Sequence, residues 1–504
     1  MRFSRSSGVL LHPTSLPGPH GCGDFGPAAY HFIDWLVSAG QTLWQILPLG
    51  SIGPGNSPYM SSSAFAGNLL LLDLVQLHER GWLDAPDLEP DAGFSDGRVH
   101  FDRVVPWRMA RLERAAQRFS QTASAQDRAD RAAFEQSQSD WLADYALFMA
   151  LADAHDWADW SDWPAALAQR KPQALQAARA QHATRIAFWT FCQWCFFQQW
   201  QRLKDYANTR GILVVGDAPI FIAYQSAEVW AHQELFELDE HGRALVVAGV
   251  PPDFFSATGQ RWGNPLYRWS AHQQDNYAWW TQRIRHTFAL VDIVRIDHFR
   301  GFVDYWEIPG TEPTAIHGRW VAGPGAALFA AIEAELGPLP IIAEDLGIIT
   351  PEVDALRRTL DLPGMRVLHF AFGDHNDNAY LPHNYEPHTV VYSGTHDNNT
   401  SQGWWADLSG DQRKRTLDYL RLDLADAPNI HWELIAAASA SVADTAIHQM
   451  QDVLGLDGEC RMNLPGLAQG YWEWRFSWTQ VHPEHAARLA RLSQLYRRER
   501  TKAP

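Results

Sequence analysis

Val291-Asp-Ile-Val-Arg-Ile-Asp297-His-Phe-Arg-Gly-Phe302 decides how the rest of the chain is read. Its first half is an apolar, β-branched run, the pattern of a strand buried on both faces of a parallel sheet. A cluster of polar residues follows, and barrels and open α/β sheets place their chemistry beyond the C-terminal ends of such strands. Side chains alternate faces along a strand, so Arg295 and Asp297 point the same way. A guanidinium beside a carboxylate favours its ionised form, which suits a nucleophile or a charge stabiliser rather than an acid. Leu339-Pro-Ile-Ile-Ala-Glu-Asp345 and Val390-Val-Tyr-Ser-Gly-Thr-His-Asp397 repeat the plan: a short apolar strand that delivers an acid at its end.

Working outward, Gly8–His12, Thr42–Leu47 and Gly211–Asp217 read as the three earlier strands. Met365–Phe370 reads as the sixth, Thr389–Ser393 as the seventh and Cys460–Gly466 as a candidate eighth. Helical spacing fills the gaps, as over Pro27–Ala39, Asn276–Leu290 and Gly323–Gly337. Eight strands alternating with helices predict an α/β chain folded as a single (β/α)8 barrel over residues 1–504, with large helical insertions in its βα loops. From 69 to 206 strands give way to a mainly helical insertion subdomain, within which Ser124–Ser139 reads as an exposed polar connection. In the 248–267 stretch aromatic residues are interleaved with Gly and Pro, so no regular element is expected to bury them. Loops of that kind are usually lids, here over the active site.

Composition narrows the partners. The formal net charge is −17, which argues against nucleic acid or an anionic membrane and fits a neutral substrate such as carbohydrate. The 24 Trp residues fit it too, because flat amphipathic rings stack on sugar faces, although most belong to the core. No apolar run reaches the ~18 residues of a transmembrane helix, and Gly8–Leu11 is too short for a signal sequence. The four cysteines do not make a disulfide scaffold, and Cys192 and Cys195 read as buried small residues. A cytoplasmic monomer without metal or cofactor is the expectation.

Glu344 follows Asp297 by 47 residues and Asp397 follows Glu344 by 53, gaps suited to one or two βα units. On the ends of strands four, five and seven the three acids converge on one face of a barrel. Two carboxylates in different protonation states are what glycosyl transfer requires. Asp297, held anionic by Arg295, would attack the anomeric carbon. Glu344 would protonate the departing oxygen, and Asp397 with His396 would grip the sugar hydroxyls. Each acid alone could equally be a helix cap or a surface residue.

Arg295-Ile-Asp297, Glu344 and His396-Asp397 resemble the catalytic motifs of the α-amylase clan. Longer words are more specific: Ser57-Pro-Tyr59, Ser63-Ala-Phe-Ala-Gly-Asn68, Gly216-Asp-Ala-Pro-Ile220, Gly259-Gln-Arg-Trp-Gly-Asn-Pro-Leu-Tyr267 and Gly394-Thr-His-Asp-Asn-Asn399. Together they resemble glycoside hydrolase family 77, the amylomaltases or disproportionating enzymes, from about Ser7 to Phe476. The resemblance implies a retaining 4-α-glucanotransferase that moves α-1,4-glucan segments onto the 4-hydroxyl of glucose or maltodextrin acceptors. It implies Asp297 as nucleophile, Glu344 as acid/base and Asp397 as stabiliser. It implies Tyr59, Asp217, Arg295, His298, Phe370, His396 and Asn463 at donor subsites, and Ser57 among the substrate-binding residues. Asp253, Phe254 and Trp262 align with the family's mobile loop.

Departures set limits. Asp217 is followed by Ala-Pro-Ile-Phe instead of the clan's Asn-His, so no calcium site of that type is expected. At Tyr224-Gln225 the family commonly has an acid second, so a contact there is in doubt. An amylase-like hydrolase would use the same three acids, and a non-catalytic glucan-binding protein is the reading from a different class.

Overall fold

The computed structural model describes residues 3–252, 256–373, 376–467 and 469–499. Its strands run in chain order β1 (Ser6–Leu10), β2 (Leu43–Gln45), β3 (Leu213–Pro219), β4 (Val246–Val250), β5 (Gln260–Pro265), β6 (Ile293–Asp297), β7 (Asp304–Pro309), β8 (Arg319–Ala322), β9 (Ile341–Ala343), β10 (Gly364–Val367), β11 (Thr389–Tyr392) and β12 (Thr445–Gln449). Eight of them pair in parallel in the order β10-β11-β12-β1-β2-β3-β6-β9. Helices cover the outside, and the chain is a (β/α)8 barrel with helical insertions.

Strand alternation sorts the wall residues into two cores. Leu10, Leu43, Val215, Ile293, Ile342, Met365, Val390 and Ile447, one from each parallel strand, meet in one cluster, the barrel interior. Their chain neighbours Val9, Trp44, Val214, Val294 and Ile341 belong to the cluster under the helices. A period of two then carries the inward face from Val215 to Asp217, from Ile293 to Arg295 and Asp297, and from Ile342 to Glu344. The four polar side chains are the continuation of an apolar lining.

The seam of the barrel lies between β9 and β10. There the Ala343 N–H donates to the Pro363 carbonyl at 3.0 Å. The next rung of a parallel ladder would return the Met365 N–H to the neighbouring backbone. It donates instead to the Asp345 carboxylate at 2.6 Å, with Arg366 at 3.4 Å and Arg357 at 3.5 Å from the same group. A Cβ on Gly364 would stand 2.3 Å from Asp345 Oδ2, so the close approach requires glycine. Burial raises the Asp345 pKa, and the two arginines and the Met365 N–H oppose the shift.

Three sequence expectations are corrected. Cys460–Gly466 is not a strand; Gly458–Cys460 is a 3-10 turn, and Thr445–Gln449 is the eighth stave. Its polar His448 and Gln449, both fully buried, disguised the apolar pattern. Ser124–Ser139 is not an open connection but the helix Ala125–Ser137, capped by Ser124 Oγ, which accepts the Asp127 N–H at 3.0 Å. Alanine-rich composition and a good cap suffice where apolar periodicity is weak. The 248–267 stretch holds the end of β4 and all of β5, which join β7 and β8 in a four-stranded antiparallel sheet of order β5-β4-β7-β8. Partners from the loop after β6 supply the burial that local sequence could not show.

The long helix Ala183–Thr209 braces the barrel from outside β2 and β3. Cys192 and Cys195 are buried on it as free thiols, and Trp200 Nε1 donates to the Leu290 carbonyl at 2.8 Å. Gln193 bonds both the N–H and the carbonyl of Gly67 (2.8 and 2.9 Å), and Gln199 does the same at Asp73 (2.7 and 3.1 Å). Those bonds anchor the chain that follows the loop carrying Tyr59. Glu228 completes the grip by accepting from Ser63 Oγ at 2.6 Å and from the Ala64 N–H at 2.9 Å.

Candidate active site

Arg295 is the centre of the charged cluster. Its Nη1 lies 2.8 and 2.7 Å from the two oxygens of Asp217, and its Nη2 lies 3.0 Å from Asp297 Oδ1. Arg295 and Asp217 are both buried, whereas the Asp297 side chain keeps 29% of its surface open. Burial lifts the Asp217 pKa and the Arg295 charge opposes it; the two carboxylates in turn hold the Arg295 pKa well above its ordinary value despite its burial. The Tyr59 hydroxyl donates to Asp217 Oδ2 at 2.9 Å and lies 2.9 Å from His396 Nε2. Its ring stacks on His396 at 5.4 Å and 18°.

Glu344 sits in a different environment. Burial pushes its pKa up to about 7, with Asp297 reinforcing the shift while Arg295 and two backbone donors oppose it. Those donors are the His298 N–H (2.7 Å) and the Leu346 N–H (2.8 Å), which fix both carboxyl oxygens. His298 adopts a left-handed conformation, φ 52° and ψ 49°, at a cost of about 1–2 kcal/mol for a residue with a Cβ. The turn aims its N–H at Glu344 and its ring at Trp262, met edge-on at 4.9 Å. Burial lowers the His298 pKa to about 4, so the ring is neutral in the physiological range.

Asp397 lies past the end of β11, 41% exposed in its side chain. Asn463 Nδ2 donates to Asp397 Oδ1 at 2.7 Å and Arg461 Nη2 to its carbonyl at 3.0 Å. The Asn463 N–H returns to the His396 carbonyl at 3.0 Å, so the 461–463 segment is an outer brace for the His396–Asp397 turn. Phe370 ends a 3-10 turn after β10, where the sequence had suggested continuous strand, and the residue is 42% exposed. An aromatic face open to solvent at a barrel mouth is available to stack on a sugar.

Direct contacts link Arg295, Asp297, Asp217, Tyr59 and His396 in one set and Glu344, His298 and Trp262 in another, the two joined where His298 follows Asp297, and Asp397 and Asn463 are tied to His396. Ser57 enters differently: its Oγ accepts the Tyr59 N–H at 3.3 Å and caps the turn that presents Tyr59. Asp253 and Phe254 lie outside the described residues. Sequence reading passed over Asp345, Arg461, Glu228, Gln193 and Gln199, which build the site without standing at a motif's centre. Glutamines on the apolar face of a Trp- and Phe-rich helix were the available signal, because a buried amide must find partners. Gln225, doubtful as a contact, accepts the Trp160 N–H at 3.1 Å and serves packing. Among the described residues no group of three or more His, Cys, Asp or Glu could hold a metal ion.

Barrel and acid cluster together define a (β/α)8 enzyme with carboxyl groups at the ends of strands four, five and seven. A family model described as 4-alpha-glucanotransferase matches residues 11–480. The 4-alpha-glucanotransferase of Thermus thermophilus is 48% identical over 499 residues, 98% of this chain and 99% of its own. That of Synechocystis sp. is 47% identical over 501 residues, 99% of each. The amylomaltase of Streptococcus agalactiae, solved in complex with acarbose, superposes with a TM-score of 0.95 at 38% identity, covering 98% of this chain and 100% of that one. The chain belongs to this family, the 4-alpha-glucanotransferases also called amylomaltases.

Proposed function

We propose that the chain moves α-1,4-glucan segments by a two-step retaining route on Asp297 and Glu344. Asp297 attacks the anomeric carbon while Glu344 gives its proton to the departing glycosidic oxygen, leaving a glycosyl ester on Asp297. The acceptor's 4-hydroxyl then attacks the same carbon, its proton passes to the Glu344 carboxylate, and Asp297 is released. The observation that carries this reading is the contrast between the two groups. Arg295 stands 3.0 Å from Asp297 as a fixed cation, while burial holds Glu344 up at about 7. Asp397 would bind the sugar hydroxyls beside His396 as the distorted ring forms.

Tyr59, Asp217, Arg295, His298, His396, Phe370 and Asn463 would line or brace the donor subsites, with Ser57 supporting Tyr59. The 248–267 stretch, with Asp253, Phe254 and Trp262, would act as the lid; a lid that excludes water but admits a sugar gives transfer its advantage over hydrolysis. Maltodextrins and the linear chains of starch and glycogen are the proposed donors, and glucose or maltodextrin the acceptors. The helical 69–206 block belongs to the same unit, working as a cytoplasmic monomer whose four cysteines stay free thiols.

Incubation with maltotriose alone tests the proposal. Glucose appearing with maltopentaose and longer chains is the expected outcome. Glucose and maltose with nothing longer would make the enzyme a hydrolase. If maltotriose stays unchanged and maltoheptaose does too, the site has no transferase activity.

A further inference from the structure

Behind His396, on the side away from Tyr59, lies a small cavity of about 10 Å³, counted as room for a water's centre and of the order needed for one water. Four of the side chains lining it are at most 4% exposed and carry a buried polar atom without a partner among the described residues: His12 Nδ1, Ser15 Oγ, His396 Nδ1 and Gln449 Oε1. Leaving even one such atom unpaired costs about 1–3 kcal/mol, and four around one void is an unusual concentration. They come from the loop after β1, the turn after β11 and the end of β12, so three wall segments aim polar atoms into one space.

The hydrogen-bond arithmetic closes. The Tyr59 hydroxyl has one proton and donates it to Asp217, so its oxygen accepts from His396 Nε2–H. Nδ1 of that tautomer presents a lone pair and needs a donor. We propose that one structural water fills the cavity, donating to His396 Nδ1 and Gln449 Oε1 and accepting from Ser15 Oγ–H and His12 Nδ1–H. Through it Ser15, His12 and Gln449 are positioning residues that hold the His396 proton on Nε2. The relay fixes the direction of every bond from the back wall to Asp217. Without it the imidazole turns to its other tautomer, Nε2 takes the Tyr59 proton, and Asp217 loses a donor beside Arg295. The effect on turnover rests on the functional reading above; the water site itself does not.

Ser15→Thr and Ser15→Val test it, because the two side chains have the same shape and differ in the hydroxyl. Crystals of wild type and both variants at about 1.5 Å or better should show a water with four partners in wild type and Ser15→Thr, lost or displaced in Ser15→Val. Maltodextrin transfer by Ser15→Val should fall about tenfold below Ser15→Thr in kcat/KM, both folding to the same circular dichroism spectrum. No water in the wild-type cavity, or equal transfer by the two variants, would overturn the proposal. If wild type fails to transfer glucan at all, the functional reading fails and the crystals alone decide the water.

Discussion

Arg295 meets Asp217 with a single nitrogen, Nη1 reaching both carboxylate oxygens at 2.8 and 2.7 Å, and this leaves Nη2 free for Asp297 at 3.0 Å. One rigid fork therefore binds a fully buried acid and a half-open one at once. An ammonium is a point donor on a flexible stem and does not span the two in that geometry. Arg295→Lys should keep the fold and lose one charged hydrogen bond, worth about 1.5–3 kcal/mol. Steady-state kinetics should show kcat/KM lower on the order of 10- to 100-fold. Wild-type rates in the lysine variant would mean that Asp297 does not need its fixed cation.

The pH profile follows from Glu344. Its pKa is raised to about 7, and as general acid it works protonated, so the active fraction is high below that value and declines tenfold per unit above it. The kcat/KM profile should have an alkaline limb near pH 7. A limb near the ordinary glutamate value, or none below pH 9, would remove Glu344 from the acid role.

The two carboxylates are separable with an activated donor. Fluoride leaves without a proton, so with an α-maltosyl fluoride donor the Glu344→Gln variant should still form the glycosyl ester and release it slowly. Intact-mass measurement should then show the sugar adduct, located on Asp297 by peptide mapping. Asp297→Asn should form no adduct and lose about 10³-fold or more of transfer activity. An adduct on any other residue would reassign the nucleophile.

Asp345 calls for a stability measurement. Asp345→Ala leaves the Met365 N–H without its partner and takes from buried Arg357 one of its two carboxylates, the other being Asp354 at 2.6 Å. Leaving a buried donor unsatisfied costs about 1–3 kcal/mol, and urea unfolding should report a loss of that order. A shift below about 1 kcal/mol would show that the seam closes without the carboxylate.

Much of this could be read from the chain because the informative parts are local. β6 and its polar ending obey a period of two, so the shared face of Arg295 and Asp297 was legible before any neighbour was known. The words around Tyr59, Asp217 and His396 were legible as a resemblance. What stayed hidden depends on partners distant in sequence. β12 looked too polar for a stave because His448 and Gln449 are buried by elements far along the chain. β4 and β5 needed β7 and β8 to become strands. Asp345 passed unremarked beside Glu344; its work lies with Met365 across the seam, 20 residues on.

Gln193 and Gln199 give the helical block between β2 and β3 a meaning for anyone who would trim this protein. A shortened chain that kept the loop through Asp73 but cut out the helices between it and β3 would keep all eight staves and all three acids. It would lose the two amides that clasp Gly67 and Asp73, and with them the arm that lays Tyr59 against Asp217. The block is a jig for one hydroxyl, and a minimal barrel cut from this sequence would be well formed and badly aimed.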